Sequence, residues 1–223
     1  MSSSITSTCS VCSGEQTEWR FPEGVDGWFT TYRSWGNSQE EDFRRRPLAD
    51  INTEETSVSG NIHGMPVAAL LGLCGPQLSA VCGGVPALRP ENVHIIFARD
   101  IDPAEEEILA AQGVNLYPMR EVREKGLSAV LRRLLERVST PYCHVSWDVD
   151  SLDAAYIPAT GLPIPDGPTP RQVTEVLTAL AATGKAVALD CVEYNPARDP
   201  DGSCCRTVLD ILKPVLLALA AAQ

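Results

Sequence analysis

From residue 49 onward, runs of apolar, largely branched side chains alternate with stretches whose apolar residues recur at helical spacing, and few folds accommodate that alternation. VHIIFAR (Val93–Arg99) is unbroken and apolar, as a strand buried on both faces requires. Asp102-Pro103 then predicts a helix start, with Pro at the first position, acids in the first turn and Gly113 at the end. VNLYPM returns as a strand. Leu127, Val130, Leu131, Leu134, Leu135 and Val138 form one apolar stripe, with Arg132, Arg133, Glu136 and Arg137 outside it. YCHVSW is the next predicted strand, and Val173, Val176, Leu177 and Leu180 mark a helix ending at Gly184. AVALDCV follows as a strand, then a last helix around Thr207–Ala221, in which Pro214 is expected to introduce a kink. The order predicts an α/β fold with a mainly parallel sheet and helices on both faces.

Residues 1–48 show neither period, and SWGNSQEEDFRRRP is polar and charged throughout. The expected organisation is therefore an irregular segment over 1–48 and one α/β domain over 49–223. The start, MSSSITSTCSVCSGEQTEWRF, carries no apolar signal core and one arginine, which makes the cytoplasm the expected compartment. Cys9 and Cys12 form a lone C-x-x-C that reads as part of an irregular tail or, with partners not evident nearby, as half a zinc site. The other cysteines lack framework spacing and are expected to be reduced.

With 18 Lys+Arg against 29 Asp+Glu the formal charge is −11, which repels phosphate backbones and anionic lipid and argues against nucleic-acid partners. No apolar run reaches the ~20 residues that a membrane helix needs.

Three predicted strands end in acids: Asp100 and Asp102, Asp148 and Asp150, and Asp190 and Glu193. In doubly wound sheets ligands collect at the carboxyl ends of strands. Side chains two apart on a strand point the same way, so Asp148 and Asp150 approach a common centre. Two readings stand here. Either a hard divalent cation relieves the repulsion between the carboxylates, or the acids, Asp153 included, cap the Gly/Pro-rich loop that follows.

SWDVDSLDAAYIPATGLPIPDG resembles the S-x-D-x-D-x-x-D and P-x-T-G-x-P signature of the arginase and agmatinase family of ureohydrolases. DCVEYNPARD resembles that family's D-x-x-E-x-N-P segment, ADINTEETSVSGNIHGMP its D-I-N-T and S-G-N-x-H-G segment, and FARDIDPAE its R-D-x-D strand. Four motifs in the right order, from Ala49 onward, make the resemblance specific. It implies a three-layer α/β/α arginase-like fold and hydrolysis of L-arginine to L-ornithine and urea by two Mn2+ ions that activate a bridging hydroxide. By motif position, Asp50, Asp148 and Asp150 are the implied metal ligands, and Glu193 the partner of the substrate guanidinium. Thr160 adjoins that group, and His63 is the implied proton shuttle, although a loop histidine bonded to backbone is the plainer reading of the residue by itself. Asn52 and Ser59 are implied at the α-carboxylate and Asp102 at the α-amino group, a set that favours arginine over agmatine. Trimers or hexamers are implied as well.

The resemblance also has a gap. Where the family carries D-A-H-x-D, with a second bridging aspartate and a histidine ligand, this chain has Arg46-Pro47-Leu48-Ala49-Asp50. The upstream G-G-D-H, whose histidine completes the first ion's shell, has no counterpart in residues 1–45. The expectations that follow are missing N-terminal strands, an unpaired sheet edge, impaired hydrolysis, and at most one weak metal site. The abrupt onset of the likeness is what an alternative exon or a shifted reading frame would leave. A non-catalytic arginase-like subunit serving a complete relative is the alternative function, and agmatinase the alternative among enzymes.

Overall fold

The computed structural model describes residues 27–31, 49–58, 60, 62–81, 86–99 and 101–222. Strands β1 (Gly27–Thr31), β2 (Val93–Ile96), β3 (Asn115–Tyr117), β4 (Cys143–Asp148) and β5 (Ala186–Val192) form one sheet in the order β3-β2-β1-β4-β5. All its pairings are parallel.

All four residues of β2 are buried, as expected of a strand covered on both faces. Val93 and Ile95 join a core with Ile51, Met65, Leu70 and Leu109, whereas Ile96 joins a second core with Trp147, Leu134, Val176 and Ile211. Alternate side chains thus feed opposite layers, which is the three-layer arrangement. The helices are α1 (Pro66–Leu70), α2 (Pro76–Val81), α3 (Pro103–Gln112), α4 (Met119–Lys125), α5 (Leu127–Arg137), α6 (Pro170–Ala182) and α7 (Ser203–Ala221). Helix α3 begins as the sequence indicates: Asp102 caps it, Glu105 completes a capping box, and Gly113 closes it at φ 74°. Thr169 and Gln172 form the matching box on α6. Pro214 lies inside α7 without ending it.

One expectation needs correction. Gly27–Thr31 falls in the segment expected to be irregular, yet it is a strand at the centre of the sheet, between β2 and β4. Its sequence, GWFTT, is rich in aromatic and β-branched residues, which suit a strand, but five residues without periodic neighbours give little signal. The rest of the segment up to Leu48, including Cys9, Cys12 and Arg46, lies outside the described residues. Cys143 and Cys204 are buried thiols, and burial pushes the Cys143 thiol up to about 11. Among the described residues no helix is long and apolar enough to cross a membrane.

Candidate functional site

Asp148 is the last residue of β4, and Asp150 follows in the 3-10 turn Val149–Ser151. Both are 1% exposed. The Asp148 carboxylate accepts the Asp150 N–H at 2.9 Å, which closes the turn and keeps the two acids adjacent. The register pairs Asp148 with Val192, so Glu193 leaves β5 one residue beyond it, at φ 66°. Burial first, and the charges of Asp150 and Glu193 next, hold the Asp148 carboxyl well above the usual carboxylate range. The structure thus brings Asp148, Asp150 and Glu193 together as one acidic cluster, on strands joined by sheet pairing.

Thr160 is fully buried beside this cluster's loops. Its carbonyl accepts Arg198 Nη1 at 2.9 Å, and the neighbouring Ala159 carbonyl accepts the Asn195 N–H at 2.9 Å. The Thr160 hydroxyl has no hydrogen-bond partner among the described residues. Asp153 behaves as a loop cap, accepting the Ala155 N–H at 2.8 Å and the Gly167 N–H at 3.2 Å. The loop-capping reading therefore holds for Asp153.

Asp50 is buried and left-handed, with φ 56°. Its carbonyl accepts the Val67 N–H at 2.9 Å at the start of α1. Asn52, two residues on, is fixed at both ends of its amide: Nδ2 donates to Asp102 Oδ2 at 3.1 Å, and Oδ1 accepts the Thr56 hydroxyl at 2.8 Å. Asp102 meanwhile uses Oδ1 as the cap of α3, accepting the Glu105 N–H at 2.7 Å. Asn52 and Asp102, assigned by motif position to the two ends of an amino-acid head group, are thus in direct contact. His63 lies in the 3-10 turn Ile62–Gly64, but its side chain and the whole of Ser59 are outside the described residues.

Two residues passed over in the sequence are central to this geometry. Glu105 is fully buried and accepts the Ala49 N–H at 2.8 Å and the Ile51 N–H at 3.5 Å, on either side of Asp50. Burial pushes its carboxyl up to about 7 against the opposing pull of those N–H groups. Arg99 donates from Nη2 to the Asp150 carbonyl at 2.9 Å and from Nη1 to the Ile164 carbonyl at 2.9 Å. The acids of the first helical turn and the R-D-x-D motif include both positions, but neither signal names a distant partner. Of the other strand-end acids, Asp190 pairs with His144 Nε2 at 2.8 Å, and Asp100 lies outside the described residues.

The donors at the strand ends are all carboxylates, a set that suits a hard divalent ion. Among the described residues, however, no group of three or more His, Cys, Asp or Glu side chains is placed to hold a metal.

The family model for the arginase family matches residues 49–217. The arginase of Brucella melitensis is 38% identical over 174 residues, covering 75% of this chain and 55% of that protein. The arginase of Bacillus subtilis is 34% identical over 168 residues, covering 75% of this chain and 57% of that protein. A crystal structure of Bacillus subtilis arginase superposes with a TM-score of 0.73 at 31% identity, over 86% of this chain and 63% of that one. The native arginase structure from Bacillus caldovelox gives 0.73 at 30% identity, over 85% and 60%. The chain thus spans little more than half the length of the curated relatives just named. With the family model matching well over half of the residues, and curated relatives at 34–38% identity covering 75% of it, the chain belongs to the arginase family.

Proposed function

We propose that this chain is an arginase-type ureohydrolase that recognises L-arginine, with hydrolysis to L-ornithine and urea impaired. The observation that carries the reading is the 3.1 Å contact between Asn52 and Asp102, contributed by segments far apart in sequence. Each carboxylate oxygen has two acceptor positions, so Asp102 retains capacity for an α-ammonium group while it caps α3 and holds Asn52. Asn52 and Ser59 face the α-carboxylate in this reading. Glu193 takes the planar guanidinium, with Thr160 alongside, and His63 delivers a proton to the leaving amine.

The impairment rests on the metal. Asp50, Asp148 and Asp150 are acids at implied ligand positions, but Arg46, Leu48 and the absent G-G-D-H remove the others. The described residues hold no ready metal cluster. They do not fit a two-manganese centre, and no hydrolytic step is routed through one. A non-catalytic subunit partnering a complete relative is the second reading, favoured by the same shortage of ligands. By the family resemblance we also propose a homo-oligomer, a trimer or hexamer, located in the cytoplasm.

Calorimetry with L-arginine and with agmatine tests the reading. Arginine is expected to bind more tightly, because agmatine lacks the carboxylate, and Asn52→Ala is expected to remove roughly 1.5–3 kcal/mol of that preference. Tighter agmatine binding overturns it.

A further inference from the structure

Arg99 and Glu105, on either side of the start of α3, reach the Asp150 loop and the Asp50 turn, each time at backbone atoms. Arg99, just past β2, spreads one guanidinium across two loops: Nη2 reaches the Asp150 carbonyl, while Nη1 reaches the Ile164 and Pro165 carbonyls at 2.9 and 3.2 Å. Glu105, in the first turn of α3, reaches the opposite side, where its Oε1 accepts the N–H groups that flank Asp50. Its Oε2 accepts the Asp102 N–H at 3.4 Å, so the fastener and the cap of α3 are one unit. Asp102 in turn holds Asn52.

Asp50 needs such a fastener. At φ 56° it occupies the left-handed region, where a non-glycine residue stays only if its surroundings fix it. The Asp50 carbonyl is tied to α1, and Glu105 fixes the peptides on both sides. Asp50 and Asp150 lie on segments with no shared strand, so their relative placement depends on what grips both.

We infer that Arg99, just past β2, and Glu105, in the first turn of α3, form a clamp that sets the Asp50 turn against the Asp150 loop, as positioning residues that act through backbone. The inference rests on the proposed function only for the consequence that L-arginine binding depends on the clamp.

The test uses the full chain, with L-arginine calorimetry and amide hydrogen exchange on the same variants. Glu105→Ala and Arg99→Ala are each expected to weaken arginine binding about ten-fold, as loss of buried hydrogen bonds to a charged group does. Glu105→Gln retains the Oε1 acceptor and is expected to restore binding. Arg99→Lys cannot span two carbonyls with a planar fork and is not expected to rescue. Val130→Ala, in the buried face of α5, serves as a destabilised comparator whose affinity is expected to be unchanged. Exchange should quicken at residues 49–52 in Glu105→Ala and at 150–153 and 164–168 in Arg99→Ala. Equal affinity loss in Val130→Ala, rescue by Arg99→Lys, or unchanged exchange at those loops overturns the clamp. Should the unaltered chain bind no arginine, the functional reading fails, and the exchange pattern alone decides the clamp. If Glu105→Ala does not fold, Arg99→Ala, whose side chain is only half-buried, carries both measurements.

Discussion

His94 is 2% exposed on β2, with Nδ1 3.3 Å from the Tyr117 hydroxyl, while Arg133 lies over the Tyr117 ring at 4.5 Å from its centroid. Burial, and then the charge of Arg137, lower its pKa to about 4. In the unfolded chain the same imidazole titrates near ~6.5, so the unfolded state takes up its proton first as pH falls. The stability gained from keeping His94 neutral is therefore fully present above pH ~6.5 and is lost as pH falls through about 4, amounting to roughly 3 kcal/mol at 1.36 kcal/mol per unit. His94→Gln removes that proton site. Its unfolding free energy, measured by denaturant titration from pH 7 to 4, is expected to fall less steeply than that of the unaltered chain, and parallel curves would contradict the assignment. At this scale the sequence exposed whatever depends on residue type and short spacing: Asp148, Asp150 and Glu193 sit where strand ends carry acids. It did not expose Glu105 as a fastener of Asp50, because a carboxylate at N3 reads as a local cap and its hydrogen bonds to Ala49 and Ile51 cross more than fifty positions. Arg99 was hidden for the same reason, since its acceptors are carbonyls, which no side-chain pattern encodes.

The loop between β4 and α6 shows how an element without regular structure is held. Asp153 N–H donates to the Pro168 carbonyl and Ala154 N–H to the Ile164 carbonyl, each at 3.1 Å, so the loop folds back beside its own start. Gly167 lies at the closest approach: a Cβ there would meet Asp153 N at 2.5 Å, Leu152 C at 2.7 Å and Arg99 Nη1 at 2.5 Å. Two of those neighbours are backbone and cannot swing aside. Gly167→Ala is expected to destabilise by about 1–3 kcal/mol, as overpacking does, and to disturb the loop that Arg99 grips. A change in denaturation midpoint equivalent to less than about 0.5 kcal/mol, the range of an ordinary surface substitution, would show that the loop gives way freely. Among whole elements, α3 was legible from the caps that mark its ends, and α5 and α6 from an apolar stripe that repeats over several turns. Strand β1 was not. Its place depends on a gap between β2 and β4, whose residues are far away in sequence, and pairing of that kind leaves no local trace.

At the scale of the whole molecule, the chain carries an excess of acids and holds a buried acidic cluster, and both features bear on metal binding. The net charge of −11 draws cations toward the protein, although salt screens such long-range attraction. Inside, Asp148 and Asp150 are almost completely excluded from water, and burial, with the charges of Asp150 and Glu193 beside it, favours protonation of Asp148 in the absence of a cation. A divalent ion would relieve that repulsion, and carboxylates without imidazole suit a partly hydrated hard ion with little preference for Mn2+ over Mg2+ or Ca2+. Two ions held ~3.5–4 Å apart require more ligands than these segments supply, because positions 46 to 49 hold Arg, Pro, Leu and Ala. The expected result is at most one weakly held divalent ion per chain and little or no urea from L-arginine, even with Mn2+ in excess. Elemental analysis of the purified protein, paired with a urea assay, reads both quantities from one preparation. Two manganese ions per chain with sustained turnover would mean that groups beyond the described residues, or a neighbouring subunit in an oligomer, complete the centre.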